Sequence, residues 1–254
     1  MDSFVIRKRK AEKPTTLQTD ADESSPKRIC KHLKTIIKEN LNIQYGILYQ
    51  KTEASLLFRE LKSKLVFLTG REAQVKVFNK WVDIPRQHAA YGDEGLEYTF
   101  SHNRMKAKPW TELPQLLKIK EDVEKVLNDK IKFNFVLVNF YEDGNKYMGE
   151  HRDDEKELVK EAPIASVSLG QERDFVFKHK DAKNCKVLSA DRQQLKMVLQ
   201  NGSLLVMNHP TNSYWLHSLP KRKMVAGARI NLTFRVMKNK SSSRRTFCYV
   251  VKDD

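Results

Sequence analysis

Apolar positions along this chain follow two different periods. Ala54, Leu57, Phe58, Leu61 and Leu65 recur at three- and four-residue intervals, which places them on one face of a helix. Thr52 stands where an N-cap oxygen is expected, and Glu53 suits the positive end of the helix dipole. A second such run follows Pro114, with Leu116, Ile119, Val123, Val126 and Leu127 at helical spacing. Both runs predict helices that pack and do nothing more. Elsewhere the period drops to two. Short β-branched or aromatic segments at residues 133–141, 164–169, 174–178, 203–208 and 228–237 are separated by turn residues and predict strands. N-terminal packing helices ahead of many strands give an α+β domain on a β-sandwich or jelly-roll core.

The ends of the chain break these periods. Residues 1–34 mix charges with Pro14, Pro26, Thr15-Thr16 and Ser24-Ser25, and predict a disordered basic tail. Residues 239–254, with Ser241-Ser242-Ser243-Arg244-Arg245, predict a second basic tail. The folded domain is therefore expected over 35–238. No internal repeat is evident.

Composition narrows the function. The 254 residues suit one domain with tails, and 40% hydrophobic content is enough for a buried core. No apolar run approaches the roughly 18 residues that a membrane span needs. No apolar stretch follows the first residues, so no secretory signal is expected. Cys30, Cys185 and Cys248 are few, scattered and odd in number, which fits a reducing compartment better than a disulfide framework. The net charge of +15 attracts polyanions, nucleic acid first among them. The clusters Arg7-Lys8-Arg9-Lys10 and Lys27-Arg28 fit nuclear import, nucleic-acid contact, or simply a solubilising tail.

Candidate chemistry lies in Gly149-Glu150-His151-Arg152-Asp153-Asp154-Glu155 together with His217. At two-residue spacing His151 and Asp153 can face one way, and His217 comes from far along the chain. Two imidazoles and one carboxylate are the ligand set of a non-haem Fe(II) oxygenase. Taken singly, His151 also fits a surface histidine in an acidic loop, and His217 a core histidine. A further strand weighs against these bland alternatives. Arg229, Asn231, Thr233 and Arg235 share one face of it, and Ile230, Leu232, Phe234 and Val236 the other. Two arginines on one polar face can grip a dicarboxylate through paired hydrogen bonds. Asn139 and Tyr141, also two apart, close an otherwise apolar strand as a pocket wall would. The set points to a 2-oxoglutarate-dependent dioxygenase.

These residues resemble the AlkB family of iron- and 2-oxoglutarate-dependent nucleic-acid demethylases, most of all its branch acting on double-stranded DNA in animal nuclei. The likeness spans about residues 40–238. It is carried by Val75-Lys76-Val77-Phe78-Asn79-Lys80-Trp81, Tyr98-Thr99-Phe100-Ser101, Asn134-Phe135-Val136-Leu137-Val138-Asn139 and Gly149 through Glu155. It continues in Met207-Asn208-His209-Pro210-Thr211-Asn212, His217-Ser218-Leu219-Pro220 and Asn231-Leu232-Thr233-Phe234-Arg235. The resemblance implies a double-stranded β-helix with a nucleotide-recognition lid at about residues 70–105. It implies His151, Asp153 and His217 as catalytic iron ligands. Asn139, Tyr141, Arg229, Asn231, Thr233 and Arg235 would surround 2-oxoglutarate, with the pairing of each arginine to a carboxylate left open. Tyr98, Thr99 and Phe100 would line the base pocket, with Asp154 and Glu155 against the base; either acid also fits a solvated loop. O2 and 2-oxoglutarate would be consumed, with ascorbate as reductant.

The implied substrates are 1-methyladenine and 3-methylcytosine in duplex DNA. Such bases are cationic, which aromatic faces and a carboxylate suit. The methyl carbon would be hydroxylated, and formaldehyde, succinate and carbon dioxide released. The base must first leave the stack, and the resemblance makes Val77-Phe78-Asn79 with Lys80 a finger that fills the gap. By the residues alone, Phe78 is a core residue of a strand through Val75 and Val77. Asn79 stands where the family pattern has glycine, though Asn tolerates left-handed geometry. Lys80, Arg86, Arg152 and the lysines at 178–186 are candidate phosphate contacts. Phe4-Val5-Ile6-Arg7 resembles a sliding-clamp-binding motif, with Ser3 where a basic residue is usual. A nuclear, monomeric enzyme is expected. The rivals are an RNA demethylase of the same fold, a non-catalytic nucleic-acid binder, and a zinc-binding cupin-like domain with no use for both arginines.

Overall fold

A computed structural model describes residues 32–100, 103–183 and 192–238. Residues 1–31 of the first tail, including Phe4-Val5-Ile6-Arg7, the whole second tail, and residues 184–186 of the lysine-rich segment lie outside the described residues, while Lys34, expected in the first tail, already begins a strand. The chain opens with a hairpin of β1 (Lys34–Lys38) and β2 (Leu41–Ile47), then α1 (Lys51–Lys64). Helix α1 starts from Gln50 as N-cap, without a side-chain cap bond, so Thr52 lies in its first turn and does not cap it. Five short strands follow: β3 (Gln74–Val77), β4 (Lys80–Asp83), β5 (Gln87–Gly92), β6 (Glu97–Phe100) and β7 (Asn103–Lys106). After β8 (Lys108–Pro109) comes α2 (Pro114–Val126), where Pro114 occupies the first turn as its fixed φ favours.

The predicted strands appear within one or two residues of their expected ends as β9 (Phe135–Tyr141), β11 (Ile164–Gly170), β12 (Arg173–His179), β14 (Ser203–Asn208) and β16 (Arg229–Arg235). Between them lie β10 (Met148–His151), β13 (Leu195–Leu199), the single turn α3 (Thr211–Tyr214) and β15 (Trp215–Leu219). The expected order of helices first and strands after is not what the structure shows, since strands precede and separate both helices.

Two antiparallel sheets carry the architecture. The larger runs β1-β2-β14-β11-β16-β9-β5-β8, its last pair parallel, and the smaller runs β10-β15-β12-β13. Alternation sorts side chains between the faces of the larger sheet. Val136, Val138, Ala165, Val167, Leu204, Ile230, Leu232 and Phe234 meet Ala54 and Leu61 of α1 and Leu116, Ile119 and Val123 of α2 in one core. Each fully buried Val, Leu, Ile or Phe side chain among them contributes about 1.5–3 kcal/mol. From the opposite face, Ile43, Leu205 and Met207 join Phe177, Leu199 and Trp215 of the smaller sheet. The domain is therefore a jelly roll with helices outside its large sheet and a second core between the sheets. That inner space holds polar side chains at one end.

Hairpin β3–β4 pairs Val77 with Lys80 across a two-residue turn, Phe78-Asn79. Both turn residues have positive φ, 45° and 63°, the geometry of a type I′ turn. Phe78 is 98% exposed, which overturns its assignment to a strand core.

Candidate metal centre

The polar end of the inter-sheet space is a cavity of about 1000 Å³. His151 closes β10, Asp153 follows two residues later, and His217 lies in the middle of β15, paired with His151 across the ladder. Nε2 of His151 lies 3.7 Å, and Nε2 of His217 3.8 Å, from Asp153 Oδ1. One ligand atom from each residue falls within 4.8 Å of the others. Imidazole and carboxylate ligands bind a first-row ion at about 2.0–2.2 Å, so the 3.7 Å and 3.8 Å separations from Asp153 Oδ1 each suit donors to one ion.

Neighbouring groups prepare the donors. Burial, reinforced by His151 and opposed by Asp153, pushes the His217 imidazole down to about 3, leaving it neutral with a free lone pair. Burial raises Asp153, but Arg235 and then the two histidines outweigh it and hold the carboxyl below its usual range. His151 Nδ1 lies 3.0 Å from Gly149 O, which turns Nε2 toward the centre. Asn212 braces Asp153, accepting from its N–H at 3.0 Å and donating to its carbonyl at 2.6 Å. Phe175 stacks on His217 at 5.6 Å. Asn212 and Phe175 had no signal in spacing or charge; only the fold brings them to the centre.

Strand β16 lies beside the centre in the large sheet. Arg229, Asn231, Thr233 and Arg235 are all buried and all line the cavity. Arg229 Nη2 donates to Ser168 Oγ at 2.9 Å and to Asn231 Oδ1 at 2.7 Å. Asn231 passes the chain on to Thr233 Oγ1 at 2.8 Å and accepts from Ser166 Oγ at 2.9 Å. Burial, against Tyr141, brings Arg229 down to about 10, so it stays cationic at neutral pH. Arg235 is held above its ordinary value, since Asp153, Tyr98 and Glu155 outweigh burial. Among the described residues, Nε of both arginines and Nη1 of Arg235 are buried with no hydrogen-bond acceptor. Such orphaned cationic donors call for an anion. A dicarboxylate fits this donor set, and the metal donors fit a ferrous ion.

Asn139 and Tyr141 line the same cavity from β9, opposite Asn231 and Arg229 in register. On the other side Tyr98 and Thr99 of β6 reach it, tied to the loop beyond the metal donors. Tyr98 Oη donates to Glu155, and Thr99 Oγ1 to Glu157 at 2.7 Å. Burial, opposed by Arg235 and aided by Asp153, raises the Glu155 carboxyl. Asp154 is exposed at the rim, beside the half-buried Arg152, whose Nη1 donates to Ser213 O. Phe78, Asn79 and Lys80 do not line the cavity; with Val77 they belong to the β3–β4 hairpin. Phe100 closes β6.

A jelly roll holding two imidazoles and a carboxylate beside buried arginines with unused donors defines the facial-triad class of metal-dependent oxygenases. The chain belongs to the 2OG-Fe(II) oxygenase superfamily, whose family profile matches residues 42–235, and within it to the AlkB family. It is 50% identical to the human protein named DNA oxidative demethylase ALKBH2, over 78% of this chain and 74% of that one. The same-named cattle protein is 50% identical, covering 78% of this chain and 69% of the relative. The mouse protein is 45% identical over 92% of this chain and 97% of its own length. No helix among the described residues is long and apolar enough to cross a membrane.

Proposed function

We propose that this chain is a DNA oxidative demethylase acting on N-alkylated bases, 1-methyladenine and 3-methylcytosine, in duplex DNA. The observation that carries it is the joining of a His-Asp-His donor set to two buried arginines with unpaired donors. His151, Asp153 and His217 hold Fe(II). Arg229 and Arg235 take the carboxylates of 2-oxoglutarate, with Asn139, Tyr141, Asn231 and Thr233 around it. When bound, iron and cosubstrate supply oxygen-dependent hydroxylation of the methyl carbon, and formaldehyde, succinate and carbon dioxide leave. The protein's part is to bind, orient and exclude water. Tyr98 and Thr99 wall the base pocket, and Phe100, the last residue of β6, is assigned to it with them. Glu155 and Asp154 face the cationic base, whose charge a carboxylate and aromatic faces stabilise.

Duplex preference rests on Phe78. An exposed aromatic side chain at the tip of a hairpin, projecting from a basic protein, suits insertion into a base stack. Asn79 and Lys80 shape and charge that tip, which Val77 of β3 precedes in the chain, and Arg86 and Arg152 add cations near the cavity mouth. This favours duplex DNA over an RNA strand with no stack to fill. A substrate in chromosomal DNA goes with a nuclear protein, and we propose that it acts there as a monomer with ascorbate keeping the iron reduced.

The test is mass spectrometry of a duplex oligonucleotide bearing one 3-methylcytosine, incubated with protein, Fe(II), 2-oxoglutarate and ascorbate. Loss of the methyl mass with the parent protein and not with His151→Ala supports both reaction and ligand set. Retention of the methyl group on duplex and single strand alike, with iron bound, sinks the DNA-repair reading.

A further inference from the structure

Two asparagines face each other across β9 and β16 at the floor of the cavity, and the structure treats them differently. Asn231 is spent on the protein. Its Oδ1 accepts from Arg229 and Ser166, and its Nδ2 donates to Thr233. Asn139 is engaged at one end alone. Its Oδ1 accepts from Arg86 Nε at 2.7 Å, and its Nδ2 donates to no partner among the described residues. A guanidinium can only donate, so Arg86 admits one orientation of the carboxamide: oxygen toward the arginine, N–H pair away from it. In the opposite rotamer the oxygen would face an anionic ligand and repel it.

Arg86 has a fixed place from which to do this. Its N–H donates to Ile84 O at 2.7 Å, just beyond Pro85, and β5 begins at the next residue. Asn139 pairs across that strand with His88, which is buried with neither ring nitrogen hydrogen-bonded. No other side chain among the described residues holds the Asn139 oxygen. The same arginine lies eight residues beyond Phe78, at the root of the hairpin.

We propose that Arg86 is a positioning residue for the cosubstrate, fixing the Asn139 carboxamide so that its N–H pair faces 2-oxoglutarate. The proposal rests on the assignment of Asn139 to the cosubstrate pocket. It gives Arg86 a duty that exists without nucleic acid, unlike a phosphate contact.

Calorimetric titration of 2-oxoglutarate into Mn(II)-loaded protein, without DNA or turnover, tests it. Arg86→Met should weaken 2-oxoglutarate roughly tenfold, the size of one charge-assisted hydrogen bond. Asn139→Ala should weaken it comparably, and the double variant no further than Asn139→Ala alone. In turnover, Arg86→Met should raise KM for 2-oxoglutarate more than it lowers kcat. Arg86→Lys, which keeps the charge but not the planar fork, should recover only part of the loss. Parent-like 2-oxoglutarate affinity in Arg86→Met beside a weakened Asn139→Ala would overturn the proposal and leave Arg86 a phosphate contact. Parent-like affinity in Asn139→Ala would remove Asn139 from the pocket and the proposal with it. Failure of the parent to bind 2-oxoglutarate would instead strike the proposed function.

Discussion

Arg235 Nη2 lies 2.7 Å from Asp153 Oδ2, while Oδ1 of the same carboxylate faces both imidazoles. One buried carboxyl thus pairs with an arginine through one oxygen and turns the other toward the proposed metal position. Removing one partner of a buried pair costs about 3–5 kcal/mol, because the remaining charge is left uncompensated. Arg235→Met should therefore destabilise the metal-free protein by that order. A divalent cation on Asp153 would supply the missing positive charge. The stabilisation by Mn(II) in urea unfolding should be larger in Arg235→Met than in the parent. Equal metal stabilisation in the two would show that Arg235 and the metal do not share Asp153.

Phe78 links function to strain. A bulky residue at φ 45° is in left-handed geometry that costs about 1–2 kcal/mol, and glycine is free of that cost. Its side chain makes little contact with the rest of the protein, being 98% exposed. Phe78→Gly should leave stability unchanged or raise it by up to about 1 kcal/mol, part of the relief being offset by glycine's larger entropy when unfolded. The same change should lower demethylation of duplex at least tenfold and spare single-stranded substrate. Chemical denaturation and paired rate measurements on the two substrates check both arms. Equal loss on both substrates would refute a wedge that acts in the duplex.

Much of the site was legible in the sequence because it is built on strands. Period two alone placed Arg229, Asn231, Thr233 and Arg235 on one face, and Asn139 with Tyr141, and the cavity wall is made of those faces. His217 satisfies both of its possible descriptions, a buried core histidine and a metal-donor candidate. What spacing could not supply was contact between distant segments. Asn212 and Phe175 touch the centre only through the jelly roll, and only the fold gives Asn139 its Arg86 partner and Asn231 its bonds to Arg229, Ser166 and Thr233. Phe78 misled the alternation argument, since a two-residue turn within Val75-Lys76-Val77-Phe78-Asn79-Lys80-Trp81 leaves apolar spacing intact. Thr52 misled the capping argument, because α1 begins one turn-fraction earlier at Lys51 without using a side-chain cap.

The turn before β14 offers a test of the frame that positions β11 and β16. Gly202 has φ +82°, and a Cβ there would stand 2.2 Å from Tyr49 O. Its carbonyl accepts from Leu48 N–H at 2.8 Å and Tyr49 N–H at 3.0 Å, and its N–H donates to Ser168 O at 2.7 Å. A side chain at this point collides with backbone, which cannot rotate away. Gly202→Ala should cost at least about 2 kcal/mol by urea unfolding, more than the roughly 1 kcal/mol of left-handed strain alone. A loss of 1 kcal/mol or less would mean that the Leu48-Tyr49 segment yields easily.

His88 sets a pH dependence of folding that is separate from the metal donors. It is 3% exposed, and burial, reinforced by the Arg86 charge, pushes its imidazole down to about 4. In the unfolded chain an imidazole titrates near 6.5. Between those values the unfolded state binds the extra proton, so stability rises with pH and falls as the solution is acidified from about 6.5 toward 4. Below about 4 both states are protonated and this contribution stops changing. Going from pH 7 to pH 4.5 should cost about 2–3 kcal/mol through this group. His88→Gln removes the titration, so its metal-free form should lose that much less stability than the parent over the same interval. His217 is also held neutral by burial and contributes equally to both proteins, so it cancels in the comparison. Urea unfolding of parent and variant at the two pH values measures the difference directly. Parallel losses would mean that His88 finds a partner for its proton in the folded state.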